Sequence, residues 1–96
     1  MDSRIVHLAL KVENLEETTA FYQKVFGFWE VETRKTRDHL SRHLTDGAMD
    51  FTLIKYDDGT QSAESKASGE GPCIHHFAIE VDDIEKYTDE IKKQGC

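Results

Sequence analysis

Two histidines stand at the same place in a repeated segment, and their spacing is the strongest chemical signal in the sequence. His7 lies in the segment IVHLALKVENL, and His76 lies 69 positions later in IHHFAIEVDDI. A repeat at one fixed offset is typical of a duplicated structural unit. Imidazoles at equivalent positions of two units can converge on one pocket. There both can act as ligands of one divalent metal ion.

Strand periodicity predicts the direction of these side chains. Alternate positions of residues 4–12 are apolar, which is the pattern of a strand with one core face. His7 and His76 share the opposite face, and the small residues Ala9 and Ala78 follow two positions further along it. We therefore predict that both imidazoles face a pocket lined in part by these two alanines.

The other three histidines carry less information. The same alternation places His75 on the apolar face, where an ordinary structural role is expected. His39 and His43 alternate on one side of a short predicted strand, so that they can line the same pocket. The acidic runs at residues 13–17 and 82–85 are interpreted as helix caps and solvated first turns rather than catalytic pairs.

The elements that would position these residues follow the order β-α-β-β-β. After the first strand, Asn14 and Glu17 have the spacing of a capping box, and Gly27 supplies a helix stop. Strands are then predicted over residues 28–36, 40–44 and 49–56.

A Gly- and Ser-rich connector without periodicity, residues 57–71, leads into the second unit. There the strand is predicted over residues 74–81, and a helix capped by Asp83 ends at Gly95. The predicted fold class is therefore α+β, with one βαβββ module and the β-α start of a second, truncated module. The domain division is module one 1–57, linker 58–72 and incomplete module two 73–96, within a single domain 1–96.

Doubling the repeat predicts an intact chain of roughly 140 residues. We therefore expect that the 96 residues are part of a longer protein. Without the last three strands of its module, the strand at residues 74–81 is expected to lack a partner in this chain. We therefore expect this strand either to be completed by another chain or to be poorly ordered.

The composition restricts the partners and the compartment. A net charge of −7 and a pI near 5.1 argue against nucleic acid and anionic membranes as main partners. No apolar run approaches the roughly 20 residues of a membrane span. Cys73 and Cys96 lack metal-site or redox-motif spacing and are interpreted as reduced thiols, which favours a cytoplasmic protein.

The segments HLALKVENLEETTAFYQKVFGF and HHFAIEVDDIEKYTDEIKKQG resemble the starts of the two modules of the vicinal oxygen chelate superfamily. This superfamily includes glyoxalase I, methylmalonyl-CoA epimerase, extradiol dioxygenases and bleomycin-resistance proteins. The resemblance implies βαβββ modules that form a U-shaped cup for a divalent metal, either within a chain or between chains. A homodimer is expected on this basis.

Carried over residue by residue, the resemblance implies that His7 and His76 are metal ligands. Thr52 occupies the ligand position on the last strand of module one, where Glu or Gln is common in the family. Strand alternation would place Ala9, Ala78 and His43 in the same cup as Thr52. A carboxylate ligand is expected on a strand beyond Cys96, and the metal is expected to be Fe, Mn, Ni or Zn.

The expected function is that of a metal-dependent enzyme acting on a small substrate chelated through two adjacent oxygens. Because threonine is a poor ligand, Thr52 weakens the lyase or epimerase interpretation, whereas two histidines and one carboxylate resemble the triad of a non-haem Fe(II) oxygenase. A metal-free, ligand-sequestering protein of the bleomycin-resistance type remains the alternative. A non-catalytic family member is a third. An aromatic cup would favour sequestration, with candidates Phe28, Trp29 and Tyr56.

Overall fold

The computed structural model describes residues 3–95, which form one sheet and three helices. The elements in chain order are β1 (Ser3–Lys11), α1 (Leu15–Phe26), β2 (Trp29–Thr36), β3 (His39–Thr45), β4 (Asp50–Tyr56), α2 (Ala63–Ala67), β5 (Cys73–Val81) and α3 (Ile84–Lys93). The five strand boundaries lie within one residue of the predictions. This confirms the βαβββ module and the β-α unit that follows it. No helix within these residues is long and apolar enough to cross a membrane.

The sheet has the strand order β2-β3-β4-β1-β5. β1 runs parallel to β4 on one side and antiparallel to β5 on the other, so it joins the two units. The α1 crossover supplies the long connection that a parallel β1–β4 arrangement requires. The two repeated segments are therefore neighbours in the sheet.

Helix α1 begins and ends where the sequence predicts. The Asn14 side chain accepts a hydrogen bond of 2.9 Å from the Glu17 backbone N–H, which satisfies one of the free donors of the first turn. Gly27 follows the helix with φ 72°, a left-handed conformation that glycine adopts without a steric penalty.

The core lies on the α1 side of the sheet. Its buried side chains are Leu15, Leu44, Phe51 and Leu53, with Leu8, Leu10, Val12, Tyr22, Phe28 and Leu40 packed against them. Phe28 is thus a core residue, whereas Trp29 remains 53% exposed. On the opposite side, Ala9, Ile54 and Tyr56 form a smaller buried cluster.

The prediction that the second-unit strand lacks a partner in this chain is wrong for one of its edges. β5 pairs with β1 from Ser3 opposite Val81 to Lys11 opposite Cys73, because the repeated strands match each other in length and apolar pattern. The other edge of β5 has no strand partner within residues 3–95. The apolar residues Ile74, Phe77 and Ile79 of this strand remain more than half exposed.

The connector between the units is also less irregular than predicted. It contains the short helix α2, whose N-cap Ser62 accepts a hydrogen bond from the Ser65 backbone N–H. One turn of helix held by a local cap has too few residues to show periodicity in the sequence. The connector is anchored to the sheet, since Lys11 Nζ lies 3.0 Å from Ser68 Oγ. Cys73 Sγ lies 3.4 Å from Ser68 O, and Cys96 lies outside the described residues.

Candidate functional site

All five histidines of the chain lie on one face of the sheet, the face opposite α1, which we call the histidine face. The buried residues Ala9, Ile54 and Tyr56 form its floor. This arrangement agrees with the predicted directions of His7, His76, His39 and His43. It differs from the prediction for His75.

His7 and His76 meet at the junction of the two units. Their Nε2 atoms are 2.9 Å apart, and their ring centroids are 4.9 Å apart. In the β1–β5 ladder His7 lies opposite Ala78 and His76 lies opposite Ala9. Because each ring lies beside a methyl group rather than a bulky side chain, both rings fit on the same face.

Two imidazole nitrogens that face each other at this distance repel if both present lone pairs, so a proton or a cation must lie between them. A neutral imidazole has one N–H and one lone pair, so either a proton or a cation must be shared at this point. Two histidines that bind one ion at a right angle, each about 2.1 Å from it, have nitrogens about 3 Å apart. The pair therefore fits two neighbouring ligand positions of a divalent ion. Within residues 3–95 no group of three or more His, Cys, Asp or Glu side chains is arranged to hold a metal.

Asp50 stands behind this pair and contacts two of the histidines. Its Oδ2 lies 3.0 Å from His7 Nδ1, a buried atom without an aligned hydrogen bond among the described residues. Its Oδ1 accepts a hydrogen bond of 2.9 Å from His43 Nδ1. Thr52, which is 2% exposed, donates to Asp50 Oδ1 at 2.8 Å and lies 2.9 Å from His43 Nδ1. One carboxylate thus orients two imidazoles.

These contacts decide the charge of Asp50. Burial raises the pKa of Asp50, but hydrogen bonds from His43 and Thr52, together with electrostatic interaction with the imidazoles of His43 and His7, lower it by more. The carboxylate is therefore ionised. Because an ionised carboxylate only accepts, Nδ1 of His43 carries a proton, and in the neutral imidazole the lone pair is then on Nε2.

His75 is on the histidine face, so the prediction that it lies on the apolar face is wrong. The ladder pairs Ala9 with His76 and Leu10 with Ile74, and it skips His75. This β-bulge places two residues of β5 opposite one of β1 and turns His75 toward the same side as His76. His75 Nδ1 lies 2.7 Å from His76 Nδ1, and His75 Nε2 lies 2.8 Å from the Tyr56 hydroxyl.

Burial lowers the pKa of both His75 and His76, and the neighbouring imidazoles lower that of His76 further. His39 lies further from the His7–His76 pair. Its ring is 5.3 Å from that of Tyr56, and its Nδ1 contacts Asp38 Oδ1 at 3.1 Å.

A cavity of about 480 Å³ opens beside Asp50 and His43. Its walls include Val31 and Met49 together with the ion-paired residues Glu32 and Arg34. A larger cavity of about 610 Å³ lies at the other end of β1 near Asn14 and Pro72, away from the histidine pair. The first cavity adjoins the histidine pair through Asp50, although neither His7 nor His76 lines it.

Sequence reasoning identified His7, His76, His43, Thr52, Ala9 and Ala78, and the structure brings these six residues together. It overlooked Asp50. Strand alternation points to this residue, since Asp50 precedes Thr52 by two positions on the same strand and must share its face.

Known proteins resemble this chain in both sequence and fold. Lactoylglutathione lyase from Neisseria meningitidis is 28% identical over 96% of this chain and 67% of its own length. A hypothetical protein from Bacillus halodurans C-125 matches 99% of this chain and 70% of its own, with a TM-score of 0.80 and 20% identity. Methylmalonyl-CoA epimerase from Mycobacterium tuberculosis matches 95% of this chain and 63% of its own, with a TM-score of 0.72 and 19% identity.

The family match covers almost the whole chain. It extends over residues 4–96 and therefore includes both repeated segments and the histidine face. The chain belongs to the Glyoxalase/Bleomycin resistance protein/Dioxygenase superfamily, the vicinal oxygen chelate superfamily.

Proposed function

We propose that this protein is a metal-dependent enzyme that acts on a small substrate bound to the metal through two adjacent oxygens. The observation that carries the proposal is the His7–His76 pair, whose Nε2 atoms converge to 2.9 Å on one face of the sheet. Two similarities support an enzyme: a relative in sequence is a lyase, and the chain shares its fold with an epimerase.

His7 and His76 would hold the ion, which we expect to be Fe, Mn, Ni or Zn. The ion would supply Lewis acidity to a substrate oxygen. Asp50 would orient His7, and the cavity beside His43 would receive the substrate. His43 lines that cavity, and Ala9 and Ala78 leave room for the two ligand rings.

Thr52 separates this site from the usual ligand pattern of the superfamily. Its hydroxyl is buried and already engaged with Asp50 and His43, so it is not free to bind an ion. A third protein ligand would then come from outside residues 3–95. This supports an oxygenase-like set of two histidines and one carboxylate over an epimerase-like set.

A metal-free, ligand-sequestering protein is the second candidate. It is favoured by the finding that no three metal-binding side chains are grouped within residues 3–95. The buried Tyr56 would then contribute to a ligand-binding floor rather than to the support of a metal site.

A paired turnover assay separates these candidates. Metal-loaded and chelator-treated protein would be given methylmalonyl-CoA in D₂O, with deuterium uptake followed by NMR, and catechol, with oxygen consumption followed by an electrode. Metal-dependent turnover of either compound, abolished in His7→Ala, is the expected result. Binding of a small molecule that is independent of metal, without any turnover, would support sequestration.

We further propose a cytoplasmic homodimer, as the resemblance implies. The exposed apolar side chains of β5 are consistent with a second chain at this edge.

A further inference from the structure

The β-bulge at His75 has a counterpart in the first unit. β1 skips Val6 between the pairs Ile5–Ile79 and His7–Ala78, just as β5 skips His75. Val6 and His75 are equivalent in the repeat, because 75 − 6 = 69 is the offset that relates His7 to His76. Both units therefore carry a bulge immediately before the paired histidine.

The two bulges present different side chains, a valine in β1 and a histidine in β5. Val6 offers no hydrogen bond, and the histidine that follows it has Asp50 behind its Nδ1 instead. In the second unit the bulge itself brings an imidazole to the Nδ1 of His76, at 2.7 Å. A hydrogen-bonded line therefore runs from His76 through His75 to the hydroxyl of Tyr56, which is 7% exposed.

The direction of this line is fixed if His76 binds a cation. Its Nε2 must then present a lone pair, so its proton lies on Nδ1 and is donated to His75 Nδ1. His75 in turn carries its proton on Nε2 and donates it to the Tyr56 oxygen. Each donor has one acceptor, and no nitrogen in the line is left without a role.

We propose that His75 and Tyr56 are positioning residues that hold His76 in its Nδ1-protonated tautomer, with Nε2 free to bind a cation. This inference rests on the proposed metal-binding function. Partners behind metal-ligating histidines are worth about 10- to 100-fold in metal affinity. His75 would thus do for His76 what Asp50 does for His7.

The repeat supplies the variant that tests this role. His75→Val places in the second bulge the residue that the first bulge already accommodates at Val6, so we expect the strand to keep its shape. We expect the affinity for Zn²⁺, measured by calorimetry, to fall about 10- to 100-fold. In the metal-free protein, ¹⁵N NMR of the imidazoles should show His76 protonated on Nδ1 in the wild type and a mixture of tautomers in the variant.

Two further variants sharpen the test. His75→Gln should restore most of the affinity, since its amide oxygen can accept from His76 while its amide nitrogen donates to Tyr56. Tyr56→Phe should shift the tautomer in the same direction as His75→Val. The matched control is His39→Ala, which removes an imidazole from the same face beside Tyr56 but outside the line.

The outcomes separate this inference from the function on which it rests. A wild type that binds no Zn²⁺ would contradict the proposed function. An unchanged His76 tautomer together with unchanged Zn²⁺ affinity in His75→Val would overturn the positioning role. An equal loss in His39→Ala would overturn it too, because the effect would then be general to the face.

Discussion

At the scale of single residues, the site depends on which nitrogen of each imidazole is engaged. Asp50 contacts the Nδ1 atoms of both His7 and His43, and His75 contacts Nδ1 of His76. In each case Nδ1 is the ring nitrogen that lies beside the supporting group. The supporting groups therefore decide what the histidines can bind.

Asp50→Asn should weaken Zn²⁺ binding by about 10- to 100-fold, because the neutral amide no longer supports His7 electrostatically. The midpoint of thermal unfolding at pH 7 should also fall, since the lowered pKa of Asp50 means that its ionised form stabilises the fold. The affinity would be measured by calorimetry beside Asp58→Asn, whose side chain is fully exposed. An Asp50→Asn protein with wild-type affinity would remove this carboxylate from the site.

The stability of the protein at acidic pH should depend on Asp38 and on the hydrogen bonds that it accepts from the connector. Hydrogen bonds from Ser62, Thr60 and His39 hold the pKa of Asp38 well below its ordinary value of 3.8. The folded-state pKa is depressed, so the stabilisation is complete above about pH 4 and is lost as the pH falls below that value. In urea unfolding at pH 7 and at pH 3, Asp38→Asn should be less stable than wild type at pH 7. The difference should shrink at pH 3, and equal differences at both pH values would contradict this role.

The repeat made some of these residues predictable and hid others. It identified His7 and His76 because an offset of 69 relates two identical residues. It could not place His75, since strict alternation assigns neighbouring residues to opposite faces and a bulge is invisible to that rule. Asp50 is predictable in principle, because it lies two positions before Thr52 and shares its face of β4.

At the scale of elements, β4 links the core to the site. Leu53 is fully buried on the α1 side, while Thr52 and Ile54 are buried on the histidine face. Successive side chains of β4 thus point alternately into the core and toward the histidine face. A loss of packing beneath β4 would therefore affect both stability and the position of Asp50.

Leu53→Ala should lower the free energy of unfolding by about 2–5 kcal/mol, through lost burial and the cavity left behind. Val25→Ala on α1, at a position that is 58% exposed, should change it by less than about 0.5 kcal/mol. Urea denaturation followed by circular dichroism measures both values. Similar losses in the two variants would show that the assigned core is wrong.

The elements themselves were largely predictable, because strand alternation, the Asn14 cap and the Gly27 stop act locally. The short helix α2 was not, since its only signal is the local cap at Ser62. The pairing of β5 with β1 also required the structure. It depends on two distant segments meeting, which neither segment encodes alone.

At the scale of the whole molecule, the open edge of β5 is the main feature that needs explanation. One edge of this strand pairs with β1, and the other has no strand partner within residues 3–95. Open, apolar edges favour pairing with a further strand.

Hydrogen exchange can read the two edges separately, because successive amides of a strand point in opposite directions. In dilute protein, the β5 amides directed at β1 should be protected and the alternate amides should exchange rapidly. Protection of the alternate set should rise with concentration as a homodimer forms, in parallel with sedimentation. Uniform protection of residues 74–81 in a strict monomer would contradict the open edge.

The central claim is that His7 and His76 hold one divalent ion. Its most direct test is elemental analysis of protein purified without an affinity metal, beside the variants His7→Ala and His76→Ala. We expect about one equivalent of Fe, Mn, Ni or Zn in the wild type and a loss of that metal in both variants, since each removes one of two ligands. No metal in the wild type, with unchanged stability in both variants, would contradict the claim and leave ligand sequestration as the function to pursue.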